Sequence, residues 1–256
     1  MAKKRSTATR RQESQAASAR AAAIRKEAER KERRRRSLVV SGVVVAVLAI
    51  VLVIGYLVQN SRDSTGQAAG STPSGAVGHS LPVGASSAKT TVTIYEDFMC
   101  PYCGQLESAT RSKLQSGIDA GHVRVRYHVL NFLDRSSSTQ YSLRSANAMA
   151  VVFDTSGSKV AKKFHDLLYE NQPQEGSAGL SDGQLVDYAV QAGASRSAVA
   201  KGISARTYQQ WVKNGTAQAS KDGVTGTPTV QIDGQQVQGS LAQIAQRIDQ
   251  AVAAAR

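Results

Sequence analysis

Cysteine is almost missing from this sequence, with only Cys100 and Cys103 among 256 residues. Histidine is also rare, and the four histidines are scattered rather than paired beside the cysteines. A structural zinc site needs two further ligands next to a Cys-x-x-Cys pair, so the sequence disfavours zinc and we expect no metal. The chain contains no glycine-rich phosphate loop, so it implies no nucleotide or flavin cofactor. A purely structural disulfide stays open, although so short a loop gains little stability from cross-linking.

The two cysteines stand at the point where a strand passes into a helix. Residues 91–95 have a strand pattern, and residues 104–118 have a helical one. The N-terminus of a helix presents unpaired N–H groups and the positive end of its dipole, which favours a thiolate at Cys100. Cys103 lies one helical turn further on, within reach to resolve a mixed disulfide. The pattern predicts thiol–disulfide redox chemistry, with Pro101 and Tyr102 tuning its balance.

A second motif, Gly226-Thr227-Pro228-Thr229, lies near the other end of the chain. A proline that begins a strand-like run suits a place where the backbone must bend at the start of a strand. The Asp-Gly pair at 233–234 follows and is typical of a two-residue hairpin turn.

These two motifs, in this order, resemble the thioredoxin fold. Over about residues 76–256 the chain is similar to the DsbA-like, membrane-anchored thiol:disulfide oxidoreductases of bacteria. The resemblance implies an α/β fold and a redox-active Cys100–Cys103 disulfide with no other cofactor. It also implies that Pro228 is cis and packs against that disulfide, while Thr227 offers its backbone to a bound peptide.

The region between the two motifs is too long for thioredoxin itself. After a strand at 123–129, whose residues alternate cleanly, about 90 residues have a largely helical pattern. We predict helices near 141–153, 160–171, 181–192 and 207–221, with a cap at Ser181 and a break at 202–204. Trp211 is expected in the core. A helical insertion of this kind is the feature that distinguishes the DsbA-like group.

Two acidic residues, Glu96 and Asp97, end the strand just before the cysteines. Either could take a proton from Cys103 during exchange, so both are candidates for a proton relay. Thioredoxins carry a buried acid six residues before the first cysteine, but that position is Ile94 here. The resemblance therefore does not extend to this acid, and Glu96 and Asp97 as solvated side chains are the alternative.

The first 80 residues have a different composition from the rest. Residues 1–37 contain 14 Lys and Arg against 4 Glu, which accounts for +10 of the formal net charge of +13. Residues 38–58 carry no charge and are long enough for one transmembrane helix. A basic run next to such a helix predicts a cytoplasmic N-terminus rather than a nucleic-acid-binding arm. The apolar run exceeds the length of a cleaved signal peptide.

The sequence thus predicts four parts: a basic cytoplasmic tail (1–37), a transmembrane helix (38–58), a flexible linker (59–80) and an extracytoplasmic thioredoxin-fold domain (81–256). Disulfides persist outside the cytoplasm, so we expect an oxidase that introduces disulfides into exported proteins. A tethered reductase and a non-enzymatic peptide-binding module are the alternatives. The expected partners are exported proteins with cysteines and a membrane redox partner, with no nucleic acid.

Overall fold

The computed structural model describes residues 70–255. The predicted tail, the predicted transmembrane helix and the first part of the predicted linker therefore lie outside the described residues. Among residues 70–255, no helix is both long and apolar enough to cross a membrane.

A five-stranded sheet forms the centre of the domain, with the strand order β1-β3-β2-β4-β5. The strands are β1 (Leu81–Val83), β2 (Thr90–Glu96), β3 (Val123–Val129), β4 (Thr229–Ile232) and β5 (Gln235–Gln236). Strands β2 and β3 are parallel and are connected through helix α1 (Pro101–Asp119). Strand β4 is antiparallel to β2, with Thr229 opposite Tyr95. The segment just before β4 therefore lies beside the end of β2, where the cysteines begin.

The residue patterns seen in the sequence agree with the observed central strands. In β3 every second residue is buried and the intervening ones are partly exposed, as the alternation predicted. The turn between β4 and β5 is formed by Asp233 and Gly234, both with positive φ, and this confirms the predicted hairpin. Strand β1 has only three residues, too few to show a pattern.

Four helices lie between β3 and β4, which confirms the helical insertion. They are α2 (Tyr141–Glu170), α3 (Asp182–Ala192), α4 (Arg196–Ser204) and α5 (Gln209–Lys221), and α6 (Leu241–Ala254) ends the domain. The serines before α3 and α6 each form a reciprocal capping box with the glutamine three residues later. That pair of bonds satisfies backbone N–H groups at the start of the helix.

Helix α2 contains the two predicted helices 141–153 and 160–171. At Gly157 the backbone leaves helical geometry (φ 81°, ψ 168°), so the span consists of two helical segments that meet at a kink. The predicted separation of the two helices is confirmed, although both segments extend closer to Gly157 than predicted. One other prediction differs from the structure. The predicted break at 202–204 is instead the end of α4, which buries only Val199 and Ile203 and so shows little apolar periodicity.

The hydrophobic core has two main parts. One lies between the sheet, α1 and α6, and the other lies within the helical insertion and includes Phe98, both cysteines and Trp211. The burial of Trp211 confirms its predicted core position, and its indole Nε1 donates to the carbonyl of Gly78 at 3.3 Å. Residues 77 and 80 also form a β-bridge. The packed part of the chain thus begins within the segment predicted as linker.

Candidate active site

Cys100 is the N-cap residue of α1, with Pro101 at the first helical position. The backbone N–H of Cys103 donates to the carbonyl of Cys100 at 3.0 Å, which is the first turn of the helix. Both cysteines are free thiols and both are buried, whereas Tyr102 between them is 60 % exposed. The helix start therefore presents an aromatic side chain to solvent directly beside the reactive pair.

The environment of Cys100 favours the thiolate. A hydrogen bond from the Cys103 thiol lowers the pKa of Cys100 and burial opposes it. A hydrogen bond from the Thr227 side chain and the first N–H groups of α1 lower the pKa further, to about 6. As a thiol, Cys100 donates to the carbonyl oxygen of Thr227 at 3.3 Å, a bond that the thiolate cannot make. The arrangement follows the prediction that the helix start would stabilise this sulfur anion.

The environment of Cys103 favours the protonated thiol, in contrast to that of Cys100. Burial raises the pKa of the Cys103 thiol well above its usual range, and the hydrogen bond to Cys100 and the negative charge on that sulfur raise it further. Of the two sulfurs, Cys100 is therefore the nucleophile and leaving group at neutral pH, while Cys103 holds its proton.

Thr227 and Pro228 lie next to the cysteines, as the family resemblance implied. The peptide bond between them is cis, in agreement with the expectation from the family resemblance. Pro228 and Cys103 line the same small cavity at the end of β2. Because β4 pairs with β2, the loop before β4 is held against the start of α1. The roles of both residues in peptide binding remain predictions.

The two candidate acids are not solvated; the structure places both in the interior and gives them different surroundings. The carboxylate of Asp97 accepts hydrogen bonds from the backbone N–H groups of Met99 and Leu133 and from the hydroxyl of Ser142. Burial raises the pKa of Asp97 to about 6, against the lowering effect of these bonds. With three donors, Asp97 holds together the segments on either side of the cysteines. Its role as a proton relay stays a prediction.

Glu96 points instead into a buried group of charged side chains behind Cys103. One oxygen of Glu96 lies 2.9 Å from Nε2 of His165, which is fully buried on α2. We call this group the acid–base cluster; its members are Glu96, Glu107, Arg111, Lys162, His165 and Asp166. Lys162 contacts both Glu107 and Asp166, so an ammonium group already neutralises the carboxylates that would otherwise suit a metal ion. Of these residues, the sequence pointed only to Glu96, because α1 and α2 are brought together only by folding.

Gln172, just after α2, is a second residue that the sequence did not reveal. Its side-chain Nε2 donates to the carbonyl of Phe98 at 3.1 Å and to that of Cys100 at 2.9 Å. Gly104 leaves room for this amide, because a Cβ atom there would lie 2.2 Å from Oε1 of Gln172. Gln172 therefore fastens the helical insertion to the turn that carries the reactive sulfur.

Comparison with known proteins agrees with this geometry. A family model described as Thioredoxin matches residues 77–250. A disulfide bond oxidoreductase (DsbG) from Mycobacterium tuberculosis is 28 % identical, with a TM-score of 0.58 over 70 % of this chain and 94 % of that chain. DsbA from the same organism is 27 % identical, with a TM-score of 0.57 over 70 % of this chain and 100 % of that chain.

A curated relative with a different overall description also matches. The serine/threonine-protein kinase PknE of M. tuberculosis is 32 % identical over 155 residues, which cover 58 % of this chain and 27 % of that protein. This chain thus spans about a quarter of the length of the curated relatives it matches. The matched residues of the family model, the Cys100–Cys103 pair at the start of α1 and the cis-proline beside it place the chain in the thioredoxin family, among the DsbA-like thiol-disulfide oxidoreductases.

Proposed function

We propose that this protein is a membrane-anchored, extracytoplasmic oxidase that introduces disulfides into exported proteins. The observation that carries the proposal is the contrast between the two sulfurs, since the pKa of Cys100 is lowered to about 6 and that of Cys103 is raised. A stabilised Cys100 thiolate favours the reduced form of the enzyme, and a disulfide whose reduced form is stabilised is a strong oxidant.

The reaction begins with the Cys100–Cys103 disulfide. A substrate thiolate attacks Sγ of Cys100, the bond between the two enzyme sulfurs breaks, and Cys103 leaves and takes up a proton. A second substrate thiolate then attacks the substrate sulfur of the mixed disulfide and releases the Cys100 thiolate. The substrate has lost two electrons and the enzyme has gained them, so a membrane redox partner must oxidise the pair again.

The substrate would lie across the surface formed by Tyr102 and the loop at Thr227 and Pro228. Tyr102 offers an exposed aromatic ring, and the loop before β4 offers backbone groups of the kind that pair with an extended peptide. Both features adjoin Cys100. A cysteine in an unfolded exported chain is a suitable substrate, because it can adopt the extended form that this pairing needs.

The membrane location rests on the sequence. The uncharged run 38–58 follows a strongly basic tail, which favours one transmembrane helix with the N-terminus in the cytoplasm. The catalytic domain then faces the oxidising side, where newly exported chains emerge.

The redox potential of the full-length chain, equilibrated in glutathione buffers, tests the direction of the reaction. A potential well above roughly −200 mV identifies a disulfide donor. A potential near or below roughly −270 mV overturns the oxidase and leaves a reductase that receives electrons through the membrane. If a Cys100→Ser variant keeps full function in cells, the protein is a peptide-binding module instead.

A further inference from the structure

We propose that Glu96, His165 and Asp166 form the route by which the proton of the buried Cys103 thiol leaves the protein and returns to it. The inference rests on the proposed thiol–disulfide exchange, because only a cysteine that reacts needs to change its protonation state.

The first observation is the isolation of Cys103. Its side chain is buried, with 3 % of the residue exposed. Glu96, Glu107 and Pro228 line the same small cavity as Cys103. Water outside the domain therefore does not reach the sulfur directly, and the two carboxylates at the cavity wall are groups that can accept its proton. Arg111 and Lys162 both pair with Glu107, which leaves Glu96 as the better acceptor.

The second observation is a continuous series of contacts that leads outward from Glu96. A carboxylate oxygen of Glu96 lies 2.9 Å from His165 Nε2. On the other side of the ring, Nδ1 lies 3.4 Å from an oxygen of Asp166. His165 is fully buried, whereas 21 % of the Asp166 side chain is exposed. The series therefore begins at the cavity of Cys103 and ends at solvent.

The third observation is the charge balance of the acid–base cluster. Three carboxylates, Glu96, Glu107 and Asp166, face three cations when His165 is protonated, namely Lys162, Arg111 and the imidazolium. The other titratable groups that face the cluster are Cys103, Tyr127 on β3 and Tyr169 on α2. Half-exposed Glu170, at the end of α2, also pairs with Arg111 from the solvent side, and Asp97 lies next to Glu96 in sequence. A buried cluster that must stay neutral resists a net gain of one proton.

A coupled transfer keeps the cluster neutral. When Cys103 resolves a mixed disulfide, its S–H bond breaks and an O–H bond forms on Glu96. At the same time the Nδ1–H bond of His165 breaks, and that proton passes to Asp166 and then to water. Glu96 and His165 end neutral, and the thiolate of Cys103 forms the S–S bond with Cys100. In the reverse half of the cycle Glu96 returns the proton to Cys103, and His165 is protonated again from solvent through Asp166.

The protonation tendencies of the groups agree with this route. Burial lowers the pKa of His165, but the negative charges of Glu96 and Glu107 outweigh it and raise that pKa to about 9. Burial raises the pKa of Glu96, and the charge of His165 opposes that shift. His165 therefore holds its proton while Glu96 is ionised, and it is able to release the proton once Glu96 is neutral, because the charge of Glu96 is the main cause of the raised pKa. Burial raises the pKa of Asp166, but the hydrogen bond to His165 and the charges of Lys162 and His165 outweigh it and lower that pKa, so Asp166 passes the proton to water and does not keep it.

The test separates the two chemical steps of the reaction with excess glutathione disulfide. The reduced full-length chain reacts first at Cys100, which forms a mixed disulfide with glutathione, and Cys103 then displaces the second glutathione. Rapid acid quenching and mass spectrometry follow both steps. We expect Glu96→Gln to slow the second step by roughly 10²- to 10⁴-fold, as is usual for the loss of a general base. The rate of the first step should stay within about twofold of its rate in the unaltered protein.

Two further variants examine the outer part of the route. His165→Gln should slow the second step as Glu96→Gln does, and Asp166→Asn should slow it less, with recovery when a small external carboxylate is added. Glu170→Gln is the matched control, since Glu170 also lies on α2 and contacts Arg111 but lies outside the series. It should leave both steps unchanged.

A solvent isotope effect can be measured on the unaltered protein, so it does not depend on whether the variants fold. Proton transfer to a general base makes the second step slower in D₂O than in H₂O, whereas simple ionisation of a thiol makes it equally fast or faster. A second step that is not slowed in D₂O, or that is unchanged in folded Glu96→Gln, overturns the route. Failure of the first step in the unaltered protein would instead overturn the proposed exchange itself.

Discussion

The Sγ atom of Cys100 lies 3.3 Å from the carbonyl oxygen of Thr227, which is 127 positions further along the chain. The pairing of β4 with β2 produces this contact, because Thr229 lies opposite Tyr95 and directs the preceding residues toward the start of α1. The reactive sulfur is thus held between a helix N-terminus and a loop from the other end of the domain. Changes in either segment should alter the chemistry of the same atom.

The two cysteines should differ sharply in their reaction with glutathione disulfide. Cys100→Ser should form no mixed disulfide, because the thiol of Cys103 holds its proton at neutral pH. Cys103→Ser should react at Cys100 and then accumulate the mixed disulfide, since no sulfur remains to resolve it. Mass spectrometry of the quenched proteins measures both. Labelling of Cys103 in the first variant at a rate like that of the unaltered protein would contradict the assignment.

The thiolate of Cys100 should appear with a midpoint near pH 6. Absorbance near 240 nm of the reduced protein, with the oxidised protein as the blank, follows it. Cys103→Ala should move the midpoint upward, because the hydrogen bond from Cys103 is the largest cause of the low pKa. A midpoint that stays near pH 6 in this variant would contradict that cause.

The same ionisation should make the stability of the reduced form depend on pH. The folded pKa lies below the ordinary value of 9.0, so this stabilisation is complete above about pH 9 and is lost as the pH falls through about 6. The oxidised form has no thiolate and lacks this contribution. Urea unfolding of both forms at pH 5, 7 and 9 measures the difference, which should grow with pH.

The effect of a substitution at Gly104 should depend on whether Gln172 is present. Gly104→Ala alone pushes a methyl group against the Gln172 amide, displaces it from the Cys100 carbonyl and slows the reaction of Cys100. In a Gln172→Ala background the methyl group has room, and the better helix propensity of alanine should stabilise α1 by up to about 1 kcal/mol. Thermal unfolding and the rate of the first step test both variants.

Gly183→Ala is the matched control for this pair. Gly183 also lies in the first turns of a helix, but a Cβ atom there meets its nearest neighbour only at 3.8 Å. This substitution should not destabilise the protein in either background. Additive effects of Gly104→Ala and Gln172→Ala would show that the predicted contact does not matter.

The ion pair between His165 and Glu96 should stabilise the oxidised protein most at low pH. The pKa of His165 is raised from 6.5 to about 9, so its contribution is complete below about pH 6.5 and is lost as the pH rises through about 9. His165→Gln should remove this dependence and cost roughly 3–5 kcal/mol, because a buried carboxylate loses its partner. Urea unfolding between pH 6 and 10 measures it, and the use of the oxidised form removes the contribution of Cys100.

Much of the site could be predicted because it lies in short continuous motifs. The Cys-x-x-Cys pair follows a strand and opens a helix, so its chemistry depends on neighbours within four residues. The Pro228 motif precedes a strand with a hairpin signal, which also needs only local sequence. Helix α4 could not be predicted, since it buries too few residues for a pattern.

Local residue patterns were enough to predict the position of the reactive sulfurs, the strands that flank them and the presence of a helical insertion. Folding alone places Asp97 against Ser142, Glu96 against His165 and Gln172 against the carbonyl of Cys100. These relationships join residues from different elements, and their effects depend on burial, which raises the energetic consequence of each charge and each hydrogen bond.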